Sequence, residues 1–262
     1  MITNKLGNKF ISNANISLVE NDMNMHEIIK TFDSKLCPDI QLKQRFVNEF
    51  RVLKMLNHHR LPNVQTLVYR SGQMSMRYPY IHGCSLRQFM SKERINFNQA
   101  APIIIQLLEI LEYLHSDGIG IIHSDIHPDN LIYSVTRELH LIDFGCAHRT
   151  TLSKPMAATW IGCHAYLSPE QAKGKYWSFY SDLYQVGLIM YELLSGERFN
   201  QGVTSRQQIP FAANPVSKRR YQFDKVIDDY LDSLLATDIT NRYQNATLAR
   251  QQLVSLMESY QS

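Results

Sequence analysis

The run from Ile103 to Leu114, IIIQLLEILEYL, is apolar on more than one face, so a helix over residues 100–115 has to be covered from several sides. A helix buried that way needs further helices around it. Apolar residues at helical spacing over 181–194, 224–235 and 245–260 offer that cover. The first eighty residues are of different character. Residues 9–19 and 27–32 read as strands, 41–56 as a helix with Phe46, Phe50 and Leu53 on one face, and 64–69 and 74–78 as two more strands. Short strands return at 131–133 and 139–142, inside the helical part. The change of character falls near Gly83, giving an α+β fold class with a β-rich part over 1–82, a larger α-helical part over 83–262, and a cleft expected where they meet.

Length and composition narrow the function classes. At 262 residues, 44% hydrophobic and 19% charged, the chain can bury a sizeable core as one two-lobed domain or two small ones. A net charge of +3 is too weak an imbalance to argue for nucleic acid, and the basic run Lys218-Arg219-Arg220 reads as a solvated loop. Cys37, Cys84, Cys146 and Cys163 lack the paired spacings of a zinc or redox motif, which fits a reducing interior. Positive charge at the N-terminus is not followed by an apolar run, and no stretch approaches the roughly 20 apolar residues of a bilayer span. The expectation is a soluble, cytoplasmic protein with no membrane partner; export by a route that reads no N-terminal signal stays open.

The chemistry is concentrated in His123-Ser124-Asp125-Ile126-His127-Pro128-Asp129-Asn130, followed by Asp143-Phe144-Gly145. Phosphoryl transfer needs a carboxylate that orients an incoming hydroxyl and takes its proton, plus oxygen ligands that hold magnesium against phosphates. Asp125 suits the first role, and Asn130 and Asp143 the second. Two strands packed between Asn130 and Asp143 would bring both to one edge of the cleft.

These motifs, in this order, resemble those of the protein-kinase superfamily, in its bacterial eukaryotic-like (Hanks-type) Ser/Thr branch. The likeness runs from about residue 26 to 260. Ser168-Pro169-Glu170, within GCHAYLSPEQ, stands where that family closes its activation segment; Ser181-Asp182-Leu183-Tyr184-Gln185-Val186-Gly187 resembles the start of its central helix, whose Asp fixes the catalytic loop; and Arg242 stands where it pairs with the Glu170 equivalent. The resemblance implies a bilobal kinase fold, ATP and Mg2+ as donor and metal, and a protein substrate with a Ser or Thr acceptor. It also implies that Glu27-Ile28-Ile29-Lys30 carries the phosphate-binding lysine, Lys30, with Glu49 as its ion-pair partner. The hinge would be Tyr78-Pro79-Tyr80-Ile81, with Tyr78 as gatekeeper, adenine against Tyr80 and Ile81, the Pro79 carbonyl as acceptor and the Ile81 N–H as donor. Phe144 and His123 would pack behind the site.

The sequence also departs from the family. ISNANISL, between Phe10 and Val19, has no glycine where a phosphate-binding loop is expected, and Asn13 and Asn15 would have to make the turn. His127 replaces the usual lysine and Cys163 the threonine that meets it; a histidine partly charged near neutral pH would give weaker, pH-dependent help to the transferred phosphate. HxDxHPxN is shared with aminoglycoside and choline phosphotransferases, so a small-molecule phosphotransferase is a second reading and a nucleotide-binding pseudokinase scaffold a third. Residues 202–211, GVTSRQQIPF, would belong to a docking surface.

Ser124 stands where many family members carry an arginine that clamps a phosphorylated activation loop. Activity is therefore expected not to depend on phosphorylation there. Replacing Thr150, Thr151, Ser153 and Thr159 with alanine should leave turnover largely intact in a steady-state assay, and a loss of about a hundredfold or more would contradict it.

Overall fold

A computed structural model of the chain describes residues 4–5, 14–21, 23–33, 39–92, 94–150, 164–174, 177–200 and 223–260. The expectations for residues 9–13, Cys37, Thr151, Ser153, Thr159, Cys163, residues 202–211 and Lys218-Arg219-Arg220 lie outside them.

The first part is an antiparallel sheet with one helix. The strands β1 (Asn4–Lys5), β2 (Ala14–Glu20), β3 (His26–Asp33), β4 (Leu67–Arg70) and β5 (Gln73–Pro79) lie in the order β1-β2-β3-β5-β4. β1 was not anticipated from sequence, being only two residues long; it pairs Asn4 with Leu18 and Lys5 with Ser17. Asn15, expected to help make the turn, lies instead within β2, opposite Thr31. Val64 is buried but precedes β4, because the chain there is tied to β5 by a single hydrogen bond, Gln65 N to Arg77 O. The helix α1 (Ile40–Met55) starts where Asp39 caps the amides of Gln41 and Leu42. Its buried face is Phe46, Glu49, Val52 and Leu53, with Phe50 only half-buried. A carboxylate thus sits inside an apolar stripe.

β6 (Gly83–Ser85) leads through α2 (Leu86–Met90) to α3 (Phe97–His115). Asn96 and Gln99 form a reciprocal cap at the start of α3. As its pattern predicts, α3 is covered on several sides: Ile104, Leu107, Leu108, Leu111 and Leu114 are inaccessible to solvent. Short strands follow. β7 (Ile121–Ile122) pairs with β10 (His148–Arg149), and β6, β8 (Leu131–Ser134) and β9 (Leu139–Leu141) make a three-stranded sheet. After α4 (Pro169–Ala172) comes α5 (Phe179–Ser195), in which every residue from Ser181 to Leu193 is buried, and which ends at Gly196 in the left-handed conformation. α6 (Lys225–Leu235) and α7 (Ala246–Ser259) pack against α5 and α3. Among the described residues, no helix is long and apolar enough to cross a membrane.

Gly83, at the junction of the two parts, is fixed by a close approach of backbone. A Cβ there would lie 2.4 Å from the Tyr133 carbonyl oxygen and 2.8 Å from Ser134 Cα, neither of which can move without breaking the β6–β8 pairing. Gly83→Ala should therefore lower stability by about 1–3 kcal/mol in urea unfolding; an unchanged midpoint would show that β6 is free to shift.

Candidate active site

The loop carrying Asp125 is suspended from α5. Asp182, wholly buried, accepts hydrogen bonds from the backbone amides of His123 and Ser124, both at 2.8 Å, and contacts His115 Nε2 at 3.0 Å. Gln185, one turn on, accepts from Ile126 N at 2.8 Å and donates to the Ser124 carbonyl, which also receives Gln171 Nε2. These contacts surround a strained residue: Ser124 has φ of +71°, in the left-handed region that non-glycine residues rarely enter. Asn130 Nδ2 donates to the Asp125 carbonyl at 2.9 Å, which turns its amide oxygen away from the loop.

The second group of residues is held by the sheet and α1. Lys30, in β3, has its ammonium 2.6 Å from Glu49 Oε2 and 3.4 Å from Asp143 Oδ2, with Lys30 and Glu49 both buried. Burial opposes the charge on Lys30, but the carboxylates of Asp143 and Glu49 outweigh it and hold its pKa above the usual lysine range. For Glu49, burial pushes upward and Lys30 pulls back; the ammonium between two carboxylates is the group whose charge is secure. Asp143 is also in the left-handed region, at φ +65°. Burial would raise its pKa, yet Lys30 and the Gly145 N–H bring it below the ordinary carboxylate value, so it stays ionised. Phe144 turns inward, fully buried, its ring edge-on to His123 at 4.7 Å.

One residue here went unread in the sequence. Asn48, next to Glu49 on α1, points its Nδ2 at the carbonyls of Ala147 (2.7 Å), Gly145 (3.3 Å) and Phe144 (3.4 Å). A polar residue beside a predicted core stripe was its only signal. Gln171 and Gln185 stood inside quoted motifs without a role, because only the folded loop shows what their amides reach.

Asp125 and His127 differ most from their free behaviour. Burial first, and then the neighbouring Asp143 charge, push the Asp125 carboxyl up to about 7. His127 is 2% exposed, its Nε2 3.6 Å from Asp125 Oδ1 and its Nδ1 3.8 Å from Asp129 Oδ2, beyond hydrogen-bonding range. Burial drives its pKa down to about 4, more than the nearby carboxylates restore. This corrects the expectation of a partly charged histidine: at neutral pH the ring carries no charge, because the loop closes around it.

Lys30, Glu49, Asp125, Asn130 and Asp143 are thus linked by contacts that run from β3 and α1 to the loop of Asp125. Tyr78 lies opposite Ile28 at the end of β5, and its hydroxyl pKa is raised by burial despite the nearby Lys30. Pro79 is paired with Glu27, and Tyr80 N donates to His26 O, so Pro79 and Ile81 flank an anchored amide. Among the described residues, no group of three or more His, Cys, Asp or Glu could hold a metal unaided. The Asn130 amide oxygen and ionised Asp143 are nevertheless hard oxygen donors of the kind that holds magnesium when phosphates complete the shell, so the residues present fit it. Glu170 and Arg242 form the expected bidentate pair, at 2.8 and 2.9 Å.

Known proteins resemble this chain over most of its length. The family model for the protein kinase domain matches residues 5–254. The serine/threonine-protein kinase PknB of Mycobacterium leprae is 29% identical over 250 residues, covering 89% of this chain and 39% of PknB. PknB of Mycolicibacterium smegmatis is 29% identical over 90% of this chain and 40% of its own length. The serine/threonine-protein kinase shk1/pak1 of Schizosaccharomyces pombe is 27% identical over 79% of this chain and 32% of its own length. The chain therefore spans about two fifths or less of these curated relatives.

A carboxyl raised to about 7 binds its proton more tightly folded than unfolded, so ionising it costs stability that is absent near pH 4, grows as pH rises and is complete above 7. Asp125→Asn should thus be more stable than the unaltered protein at pH 8, by up to about 4 kcal/mol, with the gain shrinking toward pH 4. Urea unfolding at the two pH values checks it; an equal gain at both would place the effect elsewhere than the carboxyl charge.

Proposed function

The chain belongs to the protein kinase family, and from that premise we propose that it transfers the terminal phosphoryl group of ATP to Ser or Thr hydroxyls of protein substrates. The observation that carries this reading is the meeting of Lys30, Glu49 and Asp143 in one ion-paired group beside Asp125 and Asn130. In this reading the lobes divide at residues 1–82 and 83–262. The adenine lies against Tyr80 and Ile81, with the Pro79 carbonyl and the Ile81 N–H facing it and Tyr78 closing the back of the pocket. Lys30 binds the α and β phosphates, its charge fixed by the flanking carboxylates. Asn130 and Asp143 would hold magnesium, which when bound would supply the charge neutralisation that phosphoryl transfer needs.

Asp125 orients the acceptor hydroxyl and takes its proton, and a carboxyl poised near 7 suits a base working at neutral pH. His127, uncharged, contributes shape and polarity at the transferred group rather than positive charge. The Glu170–Arg242 pair supports a protein acceptor, since it anchors the segment that an acceptor chain would lie against. A small-molecule phosphotransferase is not favoured, because the relatives that align over most of this chain are protein kinases. The unpaired thiols of Cys84 and Cys146 support a cytoplasmic setting.

Incubating the purified protein with labelled ATP, magnesium and a generic protein acceptor should put label on protein, and Asp125→Ala should cut the rate by about 10²–10⁴-fold. Label confined to small molecules, or a rate unchanged in Asp125→Ala, would overturn the reading.

A further inference from the structure

Beyond His127 lies a knot of charge that the transfer chemistry does not use. Arg87, in the first turn of α2, sends its guanidinium to three groups from three other segments. Nε lies 3.3 Å from Asp129 Oδ2, Nη2 is 2.6 Å from the Tyr166 hydroxyl, and Nη1 pairs with Glu192 of α5. The Tyr166 hydroxyl donates in turn to the other Glu192 oxygen. Arg198 approaches Glu192 from outside, at 3.7 Å. Two carboxylates are thereby balanced by two guanidinium groups, while His127 beside them is neutral.

The position of this knot gives it meaning. Asp129 immediately precedes Asn130, and Tyr166 stands on the segment that runs into Ser168-Pro169-Glu170, so the cluster lies between the catalytic loop and the end of that segment. The His127 ring stands between the Asp129 and Asp125 carboxylates, with contacts of 3.6 Å to Asp125 and 3.8 Å to Asp129. An extended peptide advances about 3.3 Å per residue, so a side chain two or three residues from the acceptor hydroxyl comes within reach of Asp129. Arg87 and Asp129 keep 22% and 20% of their side-chain surface, so the guanidinium fills the place where a cation from solvent would enter.

Resting on the kinase reading above, we propose that Arg87 is a specificity-determining residue: its guanidinium occupies a subsite for a basic side chain, so the protein does not select substrates by a basic residue two or three positions from the acceptor. Removing Arg87 leaves Asp129 and Glu192 short of one cation in a largely buried place, a costly state that a substrate arginine relieves. The fork of Arg87 spans both carboxylates and the phenol at once; a lysine ammonium is too compact to do so.

The test uses one acceptor peptide with Arg or Ala placed in turn at each position up to three residues on either side, and reads kcat/KM for the unaltered protein, Arg87→Ala and Arg87→Lys. The unaltered protein should show an Arg-to-Ala ratio within about twofold at every position, and Arg87→Ala a ratio raised about tenfold or more at one position two or three residues away. Added guanidinium ion at millimolar concentration should erase that advantage, which a purely structural role of Arg87 would not produce. If Arg87→Ala does not fold, Arg87→Lys carries the test with a rise of about threefold or more. A marked preference for Arg in the unaltered protein, or an unchanged ratio in the folded variant, overturns the subsite while leaving the kinase reading intact. Failure of the unaltered protein to label any peptide overturns the kinase reading, and this inference with it.

Discussion

The wholly buried carboxylate of Asp182 is the contact on which the candidate site depends. A buried charge is tolerated only when hydrogen bonds replace its lost water, and Asp182 obtains two of them from the backbone amides of the loop that carries Asp125. The helix satisfies its own charge by fixing the loop. Because α5 is buried from Ser181 to Leu193, the loop is anchored to the core and not to the surface. The left-handed Ser124 persists for the same reason: Asp182, Gln185 and Gln171 all hold its peptide groups, and together they offset a strain of about 1–3 kcal/mol.

A second constraint joins the sheet to the helical part. Lys30 is a buried ammonium that needs both Glu49 and Asp143, and those come from different segments, so its ion pairs hold β3, α1 and the residues after β9 in one arrangement. Asn48 reinforces this from the same helix by holding the carbonyls that follow Asp143. Movement of α1 would disturb Lys30 and the Asp143 segment together, since Glu49 and Asn48 are adjacent in sequence. The left-handed Asp143 is thus maintained by contacts on both sides.

Much of this was legible in the order of the motifs. Asp125, Asn130 and Asp143 come together because β8 and β9 form a tight antiparallel pair between them, which their short apolar runs suggested. The resemblance to the kinase family paired Lys30 with Glu49, and their charged groups lie 2.6 Å apart. Less was legible where a contact depended on register or reach. The two residues of β1 carry no periodicity, and Asn15, read as a turn residue, lies inside β2. Val52 took the core place expected of Phe50, since the face that α1 turns inward is set by the ion pair as well as by hydrophobicity.

The fold class, the family and the candidate residues were readable in the chain, because periodicity and motif order are properties of the sequence. Their charges depend on the fold. Whether His127 is charged depends on how completely the loop covers it, and whether Asp125 keeps its proton near neutral pH depends on burial and on Asp143. Arg87 is a cation in any conformation, but only folding brings Asp129, Tyr166 and Glu192 around it. These outcomes rest on desolvation and on distances of a few ångströms between residues far apart in the chain, and neither quantity is written in local sequence.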